Sequence, residues 1–268
     1  MNTFLNVYQT LKTIVSQIFT FLNLPEREHP KGRKPTLTNS EAVTVAMLKQ
    51  KQNIVTKKSL FEILEPRCRY NAFVRAINGA AKYLAWITIV LLRLAALGGT
   101  HTVKLSDWTD LPVCLPKNAA HHKTMASLAS WSKNGKGWFY GLKLYLSADL
   151  DGKVLALCFT SANADDRDIF MRMNEKLRGI FVADAGYLST KLERDFFIED
   201  ERILITAVHK NMKKLATRAH IALLNLRMRV EIHFRVLKLC YGLLTSFPRS
   251  IDGYLAHYLA SVCGYLLG

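Results

Sequence analysis

After Gly98-Gly99 the apolar residues of this 268-residue chain change their spacing from about 3.6 to about 2, and nothing else in the sequence restricts the fold as much. Upstream every segment reads as helix. Phe4, Leu5, Tyr8, Leu11, Ile14, Val15, Ile18, Phe19 and Leu22 recur at helical spacing until Pro25, and a basic loop, His29 to Pro35, follows. Thr38 with Glu41 three residues on predicts a capping box, Thr56 opens a helix that stops before Pro66, and Arg67 to Ile77 and Ala80 to Leu97 supply two more. Downstream the pattern predicts strands over 101–107, 139–147, 153–160, 180–184 and 202–208, with helices over 166–177 and 191–198 between the later ones. A long basic helix, Thr217 to Cys240, and an apolar helix to Leu267 end the chain. The expected division is a helical domain, 1–99, and an α/β domain, 100–268, with ample length to bury a core.

Within the α/β part the placement of acid is informative. Asp107 and Asp110 are the only acids between Glu65 and Asp149. Asp184 ends the apolar run Ile180 to Ala183, and Ala185-Gly186 stops that strand, with Ser189-Thr190 offering the N-cap of the next helix. Glu231 is the sole acid of the helix 217–240, among Arg218, Arg227, Arg229, Arg235 and Lys238. Arg227, Glu231 and Lys238 are spaced i, i+4 and i+11, which puts them in one stripe of a continuous helix. Three strands followed by helix, strand, helix, strand and helix is the order of a ribonuclease H-like mixed sheet flanked by helices. In that layout a carboxylate on the first strand lies beside one ending the fourth and faces a third on a late helix. Asp107, Asp184 and Glu231 occupy those places. Other polar residues have plainer readings: Asp110 as a turn residue before Pro112, Asp165 and Asp166 as helix caps with support of a nearby metal site as the alternative, His121-His122 as loop. Trp131, Trp138, Phe139 and Tyr140 among Lys133, Lys136 and Lys143 suit either a strand core or stacking on unpaired bases, with the core favoured.

Thirty-seven Lys and Arg against 21 Asp and Glu, a net charge of +16, predict an anionic partner, and a folded chain this basic most often meets nucleic acid. A membrane partner is not expected, because Tyr83 to Leu97 is interrupted by Thr88 and Arg93 and falls short of the roughly 20 residues of a span. No secretory signal is legible at the start, so a cytoplasmic protein is expected. Five scattered cysteines, odd in number, exclude a disulfide framework or a zinc finger and read as reduced core residues. The helices 56–64 and 69–78, joined by a short turn, suit a helix-turn-helix with Arg69, Asn71 and Arg75 facing DNA.

The chain from about Ser40 onward resembles the DDE transposases of short bacterial insertion sequences. The resemblance rests on Asp107 with Leu111-Pro-Val-Cys114 after it, the strand Gly137-Trp-Phe-Tyr-Gly-Leu-Lys-Leu-Tyr145, Thr160-Ser-Ala-Asn-Ala-Asp-Asp-Arg167, Ala183-Asp-Ala-Gly-Tyr187, and an Arg-Glu-Lys signature at Arg227, Glu231 and Lys238. Leu224 stands where many relatives have a Tyr, and Ala185 where close ones place a basic residue. The resemblance implies Asp107, Asp184 and Glu231 as catalytic and metal-holding residues for two divalent ions, Mg²⁺ or Mn²⁺, and Arg227 and Lys238 as phosphate contacts, with pairing to Glu231 the alternative for the last two. It implies cleavage at element ends and strand transfer of the 3′-hydroxyl into target DNA, by a homo-oligomer assembled on terminal inverted repeats in the bacterial nucleoid. A DNA-binding derivative that no longer cuts, and a structure-specific nuclease of the same fold, are the alternatives.

Overall fold

The computed structural model describes residues 2–26, 37–198, 201–207, 217–244 and 248–268. The basic loop 29–35 and the end of the strand expected at 202–208 lie outside them. The chain divides into two compact units, Met1–Leu91 with Val236–Gly268, and Leu92–Arg235.

The first unit holds α1 (Asn2–Phe21), α2 (Asn39–Lys51), α3 (Lys57–Leu64), α4 (Tyr70–Gly79), most of α5 (Ala81–Leu97) and α10 (Ile251–Leu266). The capping box forms as the sequence requires: Thr38 accepts from the Glu41 N–H, and the Thr38 N–H donates to the Glu41 carboxylate at 3.1 Å. Helix α2 is buried from Ala42 to Gln50, with α1, α4 and α10 packed on it. An apolar helix buried on every side has no amphipathic stripe, and the core around it, from Leu11 and Val15 through Met47, Leu48, Phe73 and Leu84 to Ala260 and Cys263, draws on both ends of the chain. The bounds therefore differ from the expected 1–99 and 100–268, because α10 finds its apolar partners in α2 and α4.

Tyr70 to Leu97 together is long and apolar enough by length and composition to cross a membrane, longer than the stretch 83–97 suggested. Its inner residues Phe73, Ala76, Ile77, Ala81, Tyr83, Leu84 and Ile87 are nonetheless core of the helical unit. Of the cysteines, Cys114 and Cys263 are buried as expected, Cys68 and Cys158 are half-buried, and Cys240 is exposed near the end of a helix.

The second unit is a mixed α/β structure. Its elements are β1 (Val103–Pro112), β2 (Ser130–Asn134), β3 (Gly137–Asp149), β4 (Val154–Ser161), α6 (Asp166–Met173), β5 (Gly179–Ala183), α7 (Thr190–Phe196), β6 (Arg202–Thr206), α8 (Arg218–Leu226) and the first part of α9 (Met228–Leu239). Among the described residues these strands make a six-stranded sheet. The long strand β3 is its spine: β1 runs antiparallel along one edge, and β2 and then β4 run antiparallel along the other. Beyond β1 the sheet turns parallel, through β5 to β6. Gly141 sits where β1 and β2 both meet β3; a Cβ there would come within 2.2 Å of the Leu111 carbonyl oxygen, so only glycine allows the contact. Strand β2 escapes the sequence pattern because its serines and Asn134 interrupt any apolar alternation.

Helices α6 and α7 close over β5 through Phe170, Phe181, Tyr187, Leu192 and Phe196, a cluster whose ring centroids lie 4.9 to 6.0 Å apart. Burying side chains of this size contributes about 1.5–3 kcal/mol each, which fixes the end of β5 firmly.

Candidate active site

Asp107 lies midway along β1, and Asp184 is the residue after β5. The parallel register pairs Leu105 with Val182, and two residues further along both chains come Asp107 and Asp184. A parallel sheet thus delivers two carboxylates from stretches distant in sequence to one sheet end, where open α/β sheets bind ligands. Asp107 Oδ1 accepts a 2.8 Å hydrogen bond from the Trp108 N–H, and Oδ2 accepts one of 2.8 Å from Arg227. Its side chain is only 15% exposed. Burial pushes the Asp107 carboxyl up to about 6; the Trp108 N–H and Arg227 oppose that rise, and the Asp184 and Glu231 charges add to it.

Arg227 brings the third acid in. Its guanidinium lies 2.8 Å from Asp107, 3.9 Å from Asp184 and 3.9 Å from Glu231, so one cation faces all three carboxylates. Asp184 and Glu231 stay about half-exposed, at 52% and 50%. The helix expected from Thr217 to Cys240 is in fact two, α8 and α9, which meet at Arg227. Bonds from the Arg227 N–H to Leu224 O (3.1 Å) and from the Val230 N–H to Arg227 O (3.0 Å) span three residues, not four, and tighten the backbone there. The apolar spacing ran unbroken through this point, so the sequence offered no sign of the break. Val230, Phe234 and Leu237 are buried on one face of α9, whereas Arg229 and Arg235 are exposed. Lys238, in the last turn, is half-buried. Arg69, at the N-cap of α4, and Arg75, on its outer face, are both exposed, as is Asn71.

Three expectations for neighbouring residues are corrected. Asp110 is no turn residue: it lies in β1 opposite Lys143, because β1 continues to Pro112. Asp165 caps α6, accepting from the N–H groups of Arg167 (2.8 Å) and Asp168 (3.3 Å), but Asp166 does not. Asp166 Oδ1 instead accepts from Lys143 Nζ at 2.6 Å and from the Tyr145 hydroxyl. Lys143, which is buried, also sits 4.4 Å over the Trp108 ring. Trp131 and Trp138 are not core: they are 44% and 62% exposed, while Phe139 alone of that aromatic group is buried.

Lys143, Tyr145 and Asp166 form a polar cluster that sequence reasoning missed. The available signal was a lysine in the otherwise apolar run Leu142 to Leu146, which has to find an acid when buried. Tyr187 feels both groups: burial pushes its phenol well up, and the charges of Asp107 and Asp166 push the same way.

Among the described residues no three His, Cys, Asp or Glu side chains stand together as a ready-made metal site. The donor set nevertheless fits hard divalent cations. It is all carboxylate, two of its members are solvent-accessible, and the three already converge on a positive group, the Arg227 guanidinium.

Among curated proteins none matches the chain. The solved chain described as piggyBac transposase in a synaptic complex with hairpin DNA is similar in fold at 10% sequence identity, with a TM-score of 0.52 over 100% of this chain and 75% of that one. Residues 97–247, more than half of the chain and including Asp107, Asp184, Arg227 and Glu231, match the family described as transposase DDE domain, and the protein therefore belongs to the DDE transposases.

Proposed function

We propose that this chain is the transposase of a bacterial insertion sequence, cutting DNA at the element's ends and joining the freed 3′-hydroxyl to target DNA. The observation that carries the proposal is the convergence of Asp107, Asp184 and Glu231, from two strands and a helix, on the single guanidinium of Arg227. The strand order supports a ribonuclease H-like core, since β1, β3 and β4 run antiparallel and β1 passes into the parallel β5 and β6, with Asp107 midway along β1 and Asp184 just after β5. The proposed setting is the bacterial cytoplasm and nucleoid, with a homo-oligomer assembled on the DNA.

Asp107, Asp184 and Glu231 would hold two divalent ions, Mg²⁺ or Mn²⁺. Such ions supply Lewis-acid activation of a water or 3′-hydroxyl and neutralise charge developing on a phosphodiester. The rest is done by the chain. Asp107, buried and fixed by the Trp108 N–H, is the rigid ligand, and half-exposed Asp184 and Glu231 can turn toward substrate. Arg227 balances their charge and, once DNA approaches, has N–H donors to offer a phosphate oxygen. Lys238, seven residues after Glu231 and so on the same side of α9, would contact the DNA backbone. In the helical unit, exposed Arg69, Asn71 and Arg75 on and before α4 would contact the element's ends.

The test is incubation of the purified protein with a labelled element end and Mg²⁺. Strand cleavage followed by joined products is the expected result. Asp107→Asn, Asp184→Asn and Glu231→Gln should each abolish cleavage with fold and DNA binding retained; cleavage at the wild-type rate in any one would remove that residue from the site.

A further inference from the structure

The hairpin formed by β2 and β3 carries an arrangement that the carboxylate site does not use. Its register pairs Trp131 with Tyr140 and Lys133 with Trp138, so all four side chains share one face. Trp131 packs on Tyr140 at 5.6 Å between ring centroids. The outer sides of both indoles are open, with Trp131 44% and Trp138 62% exposed, and Lys133 and the turn residue Lys136 are exposed beside them. Phe139, on the opposite face, is buried, so the hairpin is anchored through one face and presents the other.

Charge selects the occupant. From Leu111 to Ala148 the sequence has no acid and five lysines, in a chain of net charge +16, so an anion is favoured over another basic surface or an apolar helix. The chemistry that uses flat aromatic faces and cations together is a nucleic-acid strand with bases free to stack. Paired bases inside a duplex already stack on each other, so unpaired ones are required. Trp131 and Trp138 are diagonal neighbours on the ladder, about 7–8 Å apart by backbone spacing, which is room for one flat ring between them. Along β3, Trp138 is eight residues from Leu146, the partner of Asp107, hence about 26 Å at strand rise, so the contact falls several nucleotides from the carboxylates.

We infer that the exposed Trp131, Trp138 and Lys133 face of this hairpin is a stacking site for unpaired bases of a DNA strand. This rests on DNA being the partner, as proposed above. Binding of two probes tests it: a blunt duplex, and the same duplex with a short single-stranded 3′ tail containing the fluorescent adenine analogue aminopurine. Wild type is expected to bind the tailed probe more tightly and to quench the aminopurine. Trp131→Ala and Trp138→Ala should each weaken binding of the tailed probe by about ten-fold, leave the blunt duplex nearly unchanged, and abolish the quenching, while Trp138→Phe keeps most of it. Because both side chains are exposed, unchanged circular dichroism is expected for every variant. Alanine variants that bind both probes like wild type would overturn the inference. So would a change of oligomeric state with DNA binding intact, which would make the face a contact between copies. A wild type that binds the blunt duplex without gain from the tail sinks this inference alone; one that binds neither probe sinks the DNA reading with it.

Discussion

Arg227 balances the charge of the site. Without it, Asp107 would be left 15% exposed beside two further acids, with only the Trp108 N–H to hold it. Stranding one member of a buried pair costs about 3–5 kcal/mol. Partial solvation here reduces the expectation to about 1–3 kcal/mol. Arg227→Ala should therefore melt at lower temperature in chelator. Added Mn²⁺, without DNA, should raise its melting temperature more than that of wild type, since no guanidinium competes for the carboxylates. Equal Mn²⁺ shifts in the two proteins would show that Arg227 does not occupy the place of the ions.

At the scale of single elements, α9 separates its faces clearly. Val230, Phe234 and Leu237 are buried, so Arg229 points to solvent and away from Glu231, about 200° around at 100° per residue. Arg229→Ala should leave cleavage at saturating DNA nearly unchanged. Lys238→Ala should lower the slope of log affinity against log salt by about one if Lys238 touches phosphate. Comparable loss of cleavage in Arg229→Ala would contradict the orientation of α9. Helix α10 carries a different constraint. His257 is buried, and its Nδ1 accepts from Gln50 of α2 at 2.7 Å. Burial first, and then the nearby Lys49 and Lys57 charges, push its pKa down to about 3 against the opposing contacts to the backbone at Gly242 and Leu243. The folded state thus binds its proton less readily than the unfolded chain, whose imidazole titrates near pH 6.5. Stability contributed by the neutral ring is present above about 6.5 and lost as pH falls toward 3, with a slope approaching about 1.4 kcal/mol per pH unit. A urea-melting series against pH should show that slope for wild type and a flatter one for His257→Gln.

For the whole molecule, a net charge of +16 predicts DNA affinity that falls steeply with salt through counterion release. Affinity equal at low and physiological salt would argue against DNA as partner. The two compact units also change how the end-binding role of the helices can be tested. Removing residues 1–99 would strip α2 and α4 from α10 and expose its buried Ala256, Ala260 and Cys263. That truncation should aggregate. Arg69→Ala with Arg75→Ala is the better probe: both side chains are exposed, so the pair should reduce preference for element ends over random DNA without loss of helicity. Competition binding with element-end and random duplexes measures it.

Much of this was written locally in the sequence. The capping box at Thr38 and Glu41, the N-caps at Thr56, Ser189 and Thr217, and the strands around Asp107 and Asp184 depend on neighbours a few residues apart, which a sequence displays directly. The three acids stood out because carboxylate is scarce in a basic chain, and the tertiary structure gathers all three around Arg227. Only the tertiary structure decided that Arg227 breaks its helix and faces Asp107 first, and that Asp166 serves Lys143 and Tyr145 and caps nothing. It also decided that Trp131 and Trp138 face outward and that α10 joins the N-terminal helices. Each of these turns on which partner lies across the fold: a guanidinium goes to the most desolvated carboxylate, a buried lysine to the acid within reach, and an apolar helix to whichever apolar faces remain open, and none of those distances is encoded in the spacing along the chain.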